Sequence, residues 1–146
     1  MNFNYEIRET PDFGKGIFTL EEIKAGTCVW FYKLNKNVFE YNEEKTIQHL
    51  NVLNKLSKQQ HFLDITFGKN DMICLIKDDG KYMNHADKTS YECNCKTDLI
   101  NGNCYAVRDI KIGEQLFEDY STFSHPGFLY KLLKKYNCEP TYYNFL

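Results

Sequence analysis

The sequence predicts a β-rich single domain carrying two or more short helices. Three observations lead there. Short runs rich in β-branched and aromatic residues, such as Thr27-Cys28-Val29-Trp30-Phe31-Tyr32, recur between turn-forming Gly, Asn and Asp residues. Only two stretches carry an apolar stripe at helical spacing. A chain of 146 residues suits one hydrophobic core, since at this size about 68–70% of the unfolded surface is buried.

Taken in order, Tyr5-Glu6-Ile7-Arg8 is a short strand entering the turn-prone Thr10-Pro11-Asp12-Phe13-Gly14. Gly14 and Gly16 flank Lys15, and a pair of residues without side chains lets bare backbone approach a ligand. Ile17-Phe18-Thr19 resumes a strand, and Glu21-Glu22-Ile23-Lys24-Ala25-Gly26 turns the chain into the strand Thr27 to Tyr32. The same turn grammar returns downstream as Ile110-Lys111-Ile112-Gly113. A helix is expected over about residues 43–59: Asn42 caps it, Glu43 and Glu44 suit its positive end, and Ile47, Leu50, Leu53 and Leu56 follow. Phe62 to Phe67 and Met72 to Ile76 are strand candidates around the turn Gly68-Lys69-Asn70-Asp71. Asp78-Asp79-Gly80 turns the chain into Tyr82-Met83-Asn84-His85. Ala86 to Asn103 is polar and irregular, and strands follow at Cys104 to Val107 and Gln115 to Phe117. A last helix is expected over about 126–136, capped by Ser124, with Phe128, Leu129, Leu132, Leu133 and Tyr136 on one face and Lys131, Lys134 and Lys135 toward its negative end.

Composition excludes several classes. A net charge of −2 gives no broad basic field, so no direct nucleic-acid partner is expected. There is no apolar run of about 18 residues to span a membrane. Met1-Asn2-Phe3-Asn4-Tyr5-Glu6 lacks the features of a signal peptide, so an intracellular location is expected. In a reducing compartment the six cysteines are free thiols or metal ligands rather than disulfides. Cys28 and Cys74 lie in apolar runs. Cys93, Cys95, Cys104 and Cys138 offer four thiolates at irregular spacing, so a zinc module is the weaker alternative and no metal is expected. The 16% aromatic share suits narrow pockets lined by rings with polar tips.

Three segments carry chemistry: Gly14-Lys15-Gly16-Ile17-Phe18, then Lys81-Tyr82-Met83-Asn84-His85-Ala86, then Arg108 to Tyr120 with Gly113-Glu114-Gln115-Leu116 and Asp119-Tyr120 inside it. In this order they resemble the signature segments of the SET domain of protein-lysine methyltransferases. The resemblance spans nearly the whole chain, 1–146, with a core over about 5–121 and a C-terminal helix and aromatic tail over 122–146. The tail is similar to that of small stand-alone SET proteins of bacteria and large viruses, which places the protein in the cytoplasm or, if viral, in a host nucleus.

The resemblance implies a fold of several small sheets closed by a C-terminal pseudoknot. It implies methyl transfer from S-adenosylmethionine to a lysine amine of a protein, on a histone tail or another intracellular protein, by a monomer or homodimer. Tyr120 matches the catalytic tyrosine. Asn84 and His85 match the dipeptide that holds the cofactor, His85 largely through its backbone. Tyr82 packs beside the same site, and Lys15, Gly16 and Ile17 match the loop whose backbone approaches the cofactor. Three departures stand out. Ala86-Asp87-Lys88-Thr89-Ser90-Tyr91-Glu92-Cys93 replaces the family's usual continuation. Glu118 stands where many members carry Phe or Tyr, and is expected at the solvent edge or bound to a water near the amine. The family's zinc-binding tail is reduced to Cys138, leaving Tyr142-Tyr143-Asn144-Phe145 to finish the channel. The rival readings are an inactive SET fold that binds a peptide or protein, and transfer to an amine other than lysine.

Overall fold

A computed structural model of the chain describes residues 1–86 and 91–138. The elements run β1 (Tyr5–Thr10), β2 (Gly14–Thr19), β3 (Cys28–Trp30), β4 (Val38–Tyr41), α1 (Glu43–Val52), α2 (Leu56–Asp64), β5 (Thr66–Lys69), β6 (Met72–Ile76), β7 (Asn84–His85), β8 (Cys95–Thr97), β9 (Cys104–Ala106), β10 (Phe117–Glu118) and α3 (Gly127–Lys135). Among the described residues, three α-helices and three small sheets make the chain β-rich, as expected. Among the described residues no helix is long and apolar enough to cross a membrane.

The chain forms two compact units, one of residues 1–32 with 78–120 and one of residues 33–77 with 121–146. The first holds the β1-β2 hairpin and a five-stranded sheet in the order β3-β9-β8-β10-β7. Its late strand β10 inserts between β7 and β8, running parallel to both. Parallel neighbours need a long crossover rather than a tight turn, so Asn84 and His85 meet a segment far along the chain. Phe117 sits opposite Asn84 and Glu118 opposite His85. The two turns of shared grammar meet one another: Ile23 and Ile110 exchange backbone hydrogen bonds of 3.0 and 2.8 Å. Each is closed in the same way, Thr27 N–H to Lys24 O and Glu114 N–H to Lys111 O, both at 3.1 Å.

The second unit packs the sheet β4-β6-β5 and three helices around Leu50, Phe62, Leu63, Ile73, Leu75, Leu129, Leu132 and Leu133. The single helix expected over 43–59 is two. Ile47, Leu50, Leu53 and Leu56 recur every third residue, so the stripe has walked about 180° around a helix by Leu56. A straight helix could not bury both ends, and the chain breaks at Leu53 (ψ 84°). Phe62 and Leu63 belong to α2 rather than to a strand and bury its inner face. The turn after β5 contracts to Asn70 and Asp71, both at positive φ. Strand β8 occupies part of the stretch expected to be irregular. Pro126, not Ser124, stands at the N-cap of α3, with no side-chain capping bond. The expected apolar face of α3 is in place, with Leu129, Leu132 and Leu133 buried. Asp87 to Ser90 and the Tyr142-Tyr143-Asn144-Phe145 tail lie outside the described residues.

Candidate active site

The three signature segments converge within the first unit. Gly14, Lys15 and Gly16 begin β2 as a paired strand rather than a free loop, Arg8 standing opposite Gly16. The opposite edge of β2 takes the third segment: Leu116 N–H donates to Ile17 O at 2.9 Å, and Thr19 N–H to Glu114 O at 3.0 Å. Ile17 is fully buried, so its side chain serves the core. The second segment joins through a side chain, Asn84 Nδ2 donating to Lys15 O at 3.0 Å. Gly16 is needed for this closeness. A Cβ there would lie 2.5 Å from Gln115 Nε2 and 3.2 Å from Asn84 Nδ2.

The turn before Asn84 is set rigidly. Asp78 caps a 3₁₀ turn over Asp79–Tyr82 by accepting from Gly80 N–H at 3.0 Å. The Trp30 indole N–H meets both Asp78 oxygens at 3.0 Å, and Tyr5 hydroxyl donates to Asp79 at 2.8 Å. Tyr82, at the end of the turn, has Lys15 Nζ at 5.7 Å and Lys81 Nζ at 5.0 Å from its ring centroid. Both are within cation–π range.

Tyr120 is held at three points by the Met83–His85 stretch. Its N–H donates to His85 Nδ1 at 3.0 Å, its ring lies 5.3 Å from the His85 ring, and its hydroxyl donates to Met83 O. A nitrogen that accepts the Tyr120 N–H carries no proton, so His85 is the Nε2–H tautomer. The 3.3 Å approach of the same Nδ1 to Glu118 O is then a contact and not a second hydrogen bond. The His85 side chain thus positions Tyr120, a task beyond the backbone role the resemblance implies.

Asn94, outside the signature segments, and the contacts of Glu114 and Gln115 within them are not legible from the sequence. Asn94, 1% exposed, donates to Gln115 O at 2.8 Å and accepts from Phe117 N–H at 2.9 Å, pinning the strand that leads to Tyr120. It lay unnoticed between two cysteines. Glu114 accepts from Arg108 at 2.8 Å and from Lys111 N–H at 2.8 Å, and the Arg108 bond holds its carboxyl below the ordinary value. Gln115 Nε2 is buried without a hydrogen-bond partner.

Glu118 is not at the solvent edge: it is 6% exposed and accepts from Thr97 Oγ1 at 2.7 Å. Burial pushes its carboxyl above the ordinary value, against opposing hydrogen bonds from Thr97 and Cys104. Burial likewise drives the neighbouring Cys104 thiol well up. All six cysteines are free thiols. Among the described residues no group of three or more His, Cys, Asp or Glu is placed to hold a metal ion.

The SET domain family matches the sequence over residues 14–121, and no curated protein matches it. Two solved structures share the fold. One is ctPRC2 in an autoinhibited conformation bound to S-adenosylmethionine, at 17% identity and a TM-score of 0.61, covering 94% of this chain. This chain spans only 17% of that one. The other is a Plasmodium falciparum protein described as a candidate histone methyltransferase, at 17% identity and a TM-score of 0.53 over 88% of this chain and 99% of that one.

Proposed function

The chain belongs to the SET domain family, and we propose that it is a protein-lysine N-methyltransferase using S-adenosylmethionine, with residues 1–146 acting as one SET domain. The observation that carries this reading is the three-point hold on Tyr120 by Met83–His85. Such fixation is costly in side-chain freedom, and it is what a group that must orient a reactant requires.

The residues present fit the methyl donor. Gly16 brings bare backbone against the Asn84 and Gln115 side chains, and the unpartnered Gln115 amide N–H there offers a donor to the polar groups of the cofactor. Lys15, Gly16, Ile17, Tyr82, Asn84 and His85 are the proposed cofactor-binding residues. When bound, S-adenosylmethionine supplies a methyl group on a sulfonium that leaves readily. The protein's share is alignment, which is worth about 7–11 kcal/mol of a barrier when the reactants are held in line.

The incoming lysine must lose its proton before it can attack. A free lysine titrates near about 10.4, so the neutral amine costs roughly 4 kcal/mol at pH 7.5. Aromatic, poorly hydrated surroundings lower that cost by disfavouring the ammonium. The Tyr120 hydroxyl gives its own proton to Met83 O, so its oxygen is an acceptor toward an amine N–H. Accepting one N–H turns the nitrogen lone pair in a defined direction, which is the catalytic role proposed for Tyr120. The target is a lysine on a histone tail or another intracellular protein. The net charge of −2 mildly favours a basic partner.

The test is transfer of labelled methyl from S-adenosylmethionine to a panel of histones and whole-cell protein, by wild type and by Tyr120→Phe. Label on a lysine that falls at least a hundredfold with the variant supports the reading. No transfer and no binding of S-adenosylmethionine would sink it.

A further inference from the structure

The buried carboxyl of Glu118 is a group of the first unit that neither packing nor the proposed mechanism explains. Sealing a carboxyl into a core is unfavourable, and an apolar residue of similar volume would serve packing better. Its surroundings connect it to the proposed chemistry. Thr97 Oγ1 donates to it at 2.7 Å, and the Cys104 thiol lies beside it. Cys104 Sγ in turn touches Met83 Sδ at 3.6 Å. The carbonyl of that same Met83 receives the Tyr120 hydroxyl. On the backbone, Glu118 pairs with His85, whose ring receives the Tyr120 N–H. A continuous line of contacts thus runs from the buried acid to both polar ends of Tyr120.

We propose that Glu118 is a positioning residue of the methyl-transfer site, which fixes Met83, and through it the Tyr120 hydroxyl, by way of the Thr97–Glu118–Cys104 cluster. This rests on the methyltransferase reading of the site. Burial favours the uncharged form of the Glu118 carboxyl. The groups that face it are thiols or an imidazole: Cys104 on β9, Cys95 on β8, Cys93 just before β8 and His85 on β7. None of these is a lysine or an arginine, and burial raises the proton affinity of the carboxyl. Ionising it would place an unbalanced charge behind Met83 and disturb the hold on Tyr120.

Glu118→Gln and Glu118→Leu, compared with wild type in the full chain, test this. Glu118→Gln keeps the shape and the acceptor without the charge. It should keep methyl-transfer turnover within about twofold and abolish any loss of rate that wild type shows as Glu118 ionises at rising pH. Glu118→Leu should fold, bind S-adenosylmethionine with affinity within about threefold, and lose about tenfold in turnover at saturating substrates. A second readout needs no activity. With ring-¹³C tyrosine, the Tyr120 hydroxyl-bearing carbon should move in Glu118→Leu and in Thr97→Val, and stay in place in Glu118→Gln. Unchanged turnover in Glu118→Leu, or an unmoved Tyr120 resonance, would make Glu118 a mere core filler and overturn the proposal. Should wild type neither transfer methyl nor bind S-adenosylmethionine, the methyltransferase reading falls, and the resonance still decides whether Glu118 positions Tyr120.

Discussion

The two compact units bury polar groups in different ways. In the unit of residues 33–77 and 121–146, buried hydroxyls serve backbone close by in sequence: Thr46 Oγ1 donates to Asn42 O at 2.7 Å and Thr66 Oγ1 to Leu63 O at 2.9 Å. Lys69, 3.7 Å from Glu40, is the exception. The remainder is a leucine-rich core. In the unit of residues 1–32 and 78–120, Thr19 also bonds locally, to Glu21 O at 2.6 Å, but other polar side chains tie segments far apart in sequence. The buried Asn94 reaches Gln115 and Phe117, the buried Thr97 reaches Glu118, and the half-buried Asn84 reaches Lys15. Local bonds satisfy a core, whereas distant ones specify which strands meet. The specified junction is where Tyr120 sits.

The largest effect that tests this contrast is a plain cavity. Leu63→Ala, at a fully buried position of the leucine core, should cost about 3–5 kcal/mol of stability, read from the midpoint of a urea melt. Asn94→Leu should cost less, about 2–4 kcal/mol, because it strands a buried N–H and a buried carbonyl. It should also weaken S-adenosylmethionine binding, since Gln115 and Phe117 lose their anchor; calorimetric titration reads this directly. A variant that lost stability while keeping full cofactor affinity would reduce Asn94 to a local filler, like the threonines of the other unit.

Smaller still is the effect at His85. His85→Asn keeps an acceptor near the Nδ1 position for the Tyr120 N–H and should hold turnover within about threefold. His85→Leu removes the acceptor and should lower turnover about tenfold, or about 1.4 kcal/mol. Equal losses in both variants would mean that the ring stacking, not the hydrogen bond, does the positioning.

How much of this was legible in the sequence follows the same division. The signature segments were readable because chemistry there rests on particular residues: Gly16 where no Cβ fits, Asn84 and His85, and Tyr120. The meeting of the two Ile-Lys-x-Gly turns was half legible, as a shared grammar without its pairing. What escaped was long-range. Asn94 and Glu118 belong to short stretches whose local pattern says nothing of a partner strand more than twenty residues away. The single helix over 43–59 failed for a different reason. A three-residue spacing counts as periodic in a short window yet rotates off any one face, and Ile47 and Leu56 both end exposed.

The smallest effect is a pH dependence of opposite sign in the two units. In the leucine-core unit His49 lies 4.5 Å from the Phe62 ring and 5.4 Å from the Tyr41 ring, between centroids. Burial, with Lys77 adding to it, holds its imidazole below the ordinary 6.5. The folded state therefore resists a proton that the unfolded chain accepts, and stability is lost as pH falls from about 6.5 toward the folded value. Glu118 works the other way. Its carboxyl is raised above the ordinary 4.5, the folded state keeps a proton that the unfolded chain releases, and stability is lost as pH rises from about 4.5 toward the folded value. Either slope is bounded by about 1.4 kcal/mol per pH unit, and the half-buried His49 should show well under that. Thermal melts across pH 4–9 on wild type, His49→Phe and Glu118→Gln separate the two. His49→Phe should remove the loss of stability as pH falls below about 6.5, and Glu118→Gln the loss as pH rises above about 4.5. If Glu118→Gln left the loss above about pH 4.5 unchanged, Glu118 would not be its source, and burial would not be holding a proton on the carboxyl.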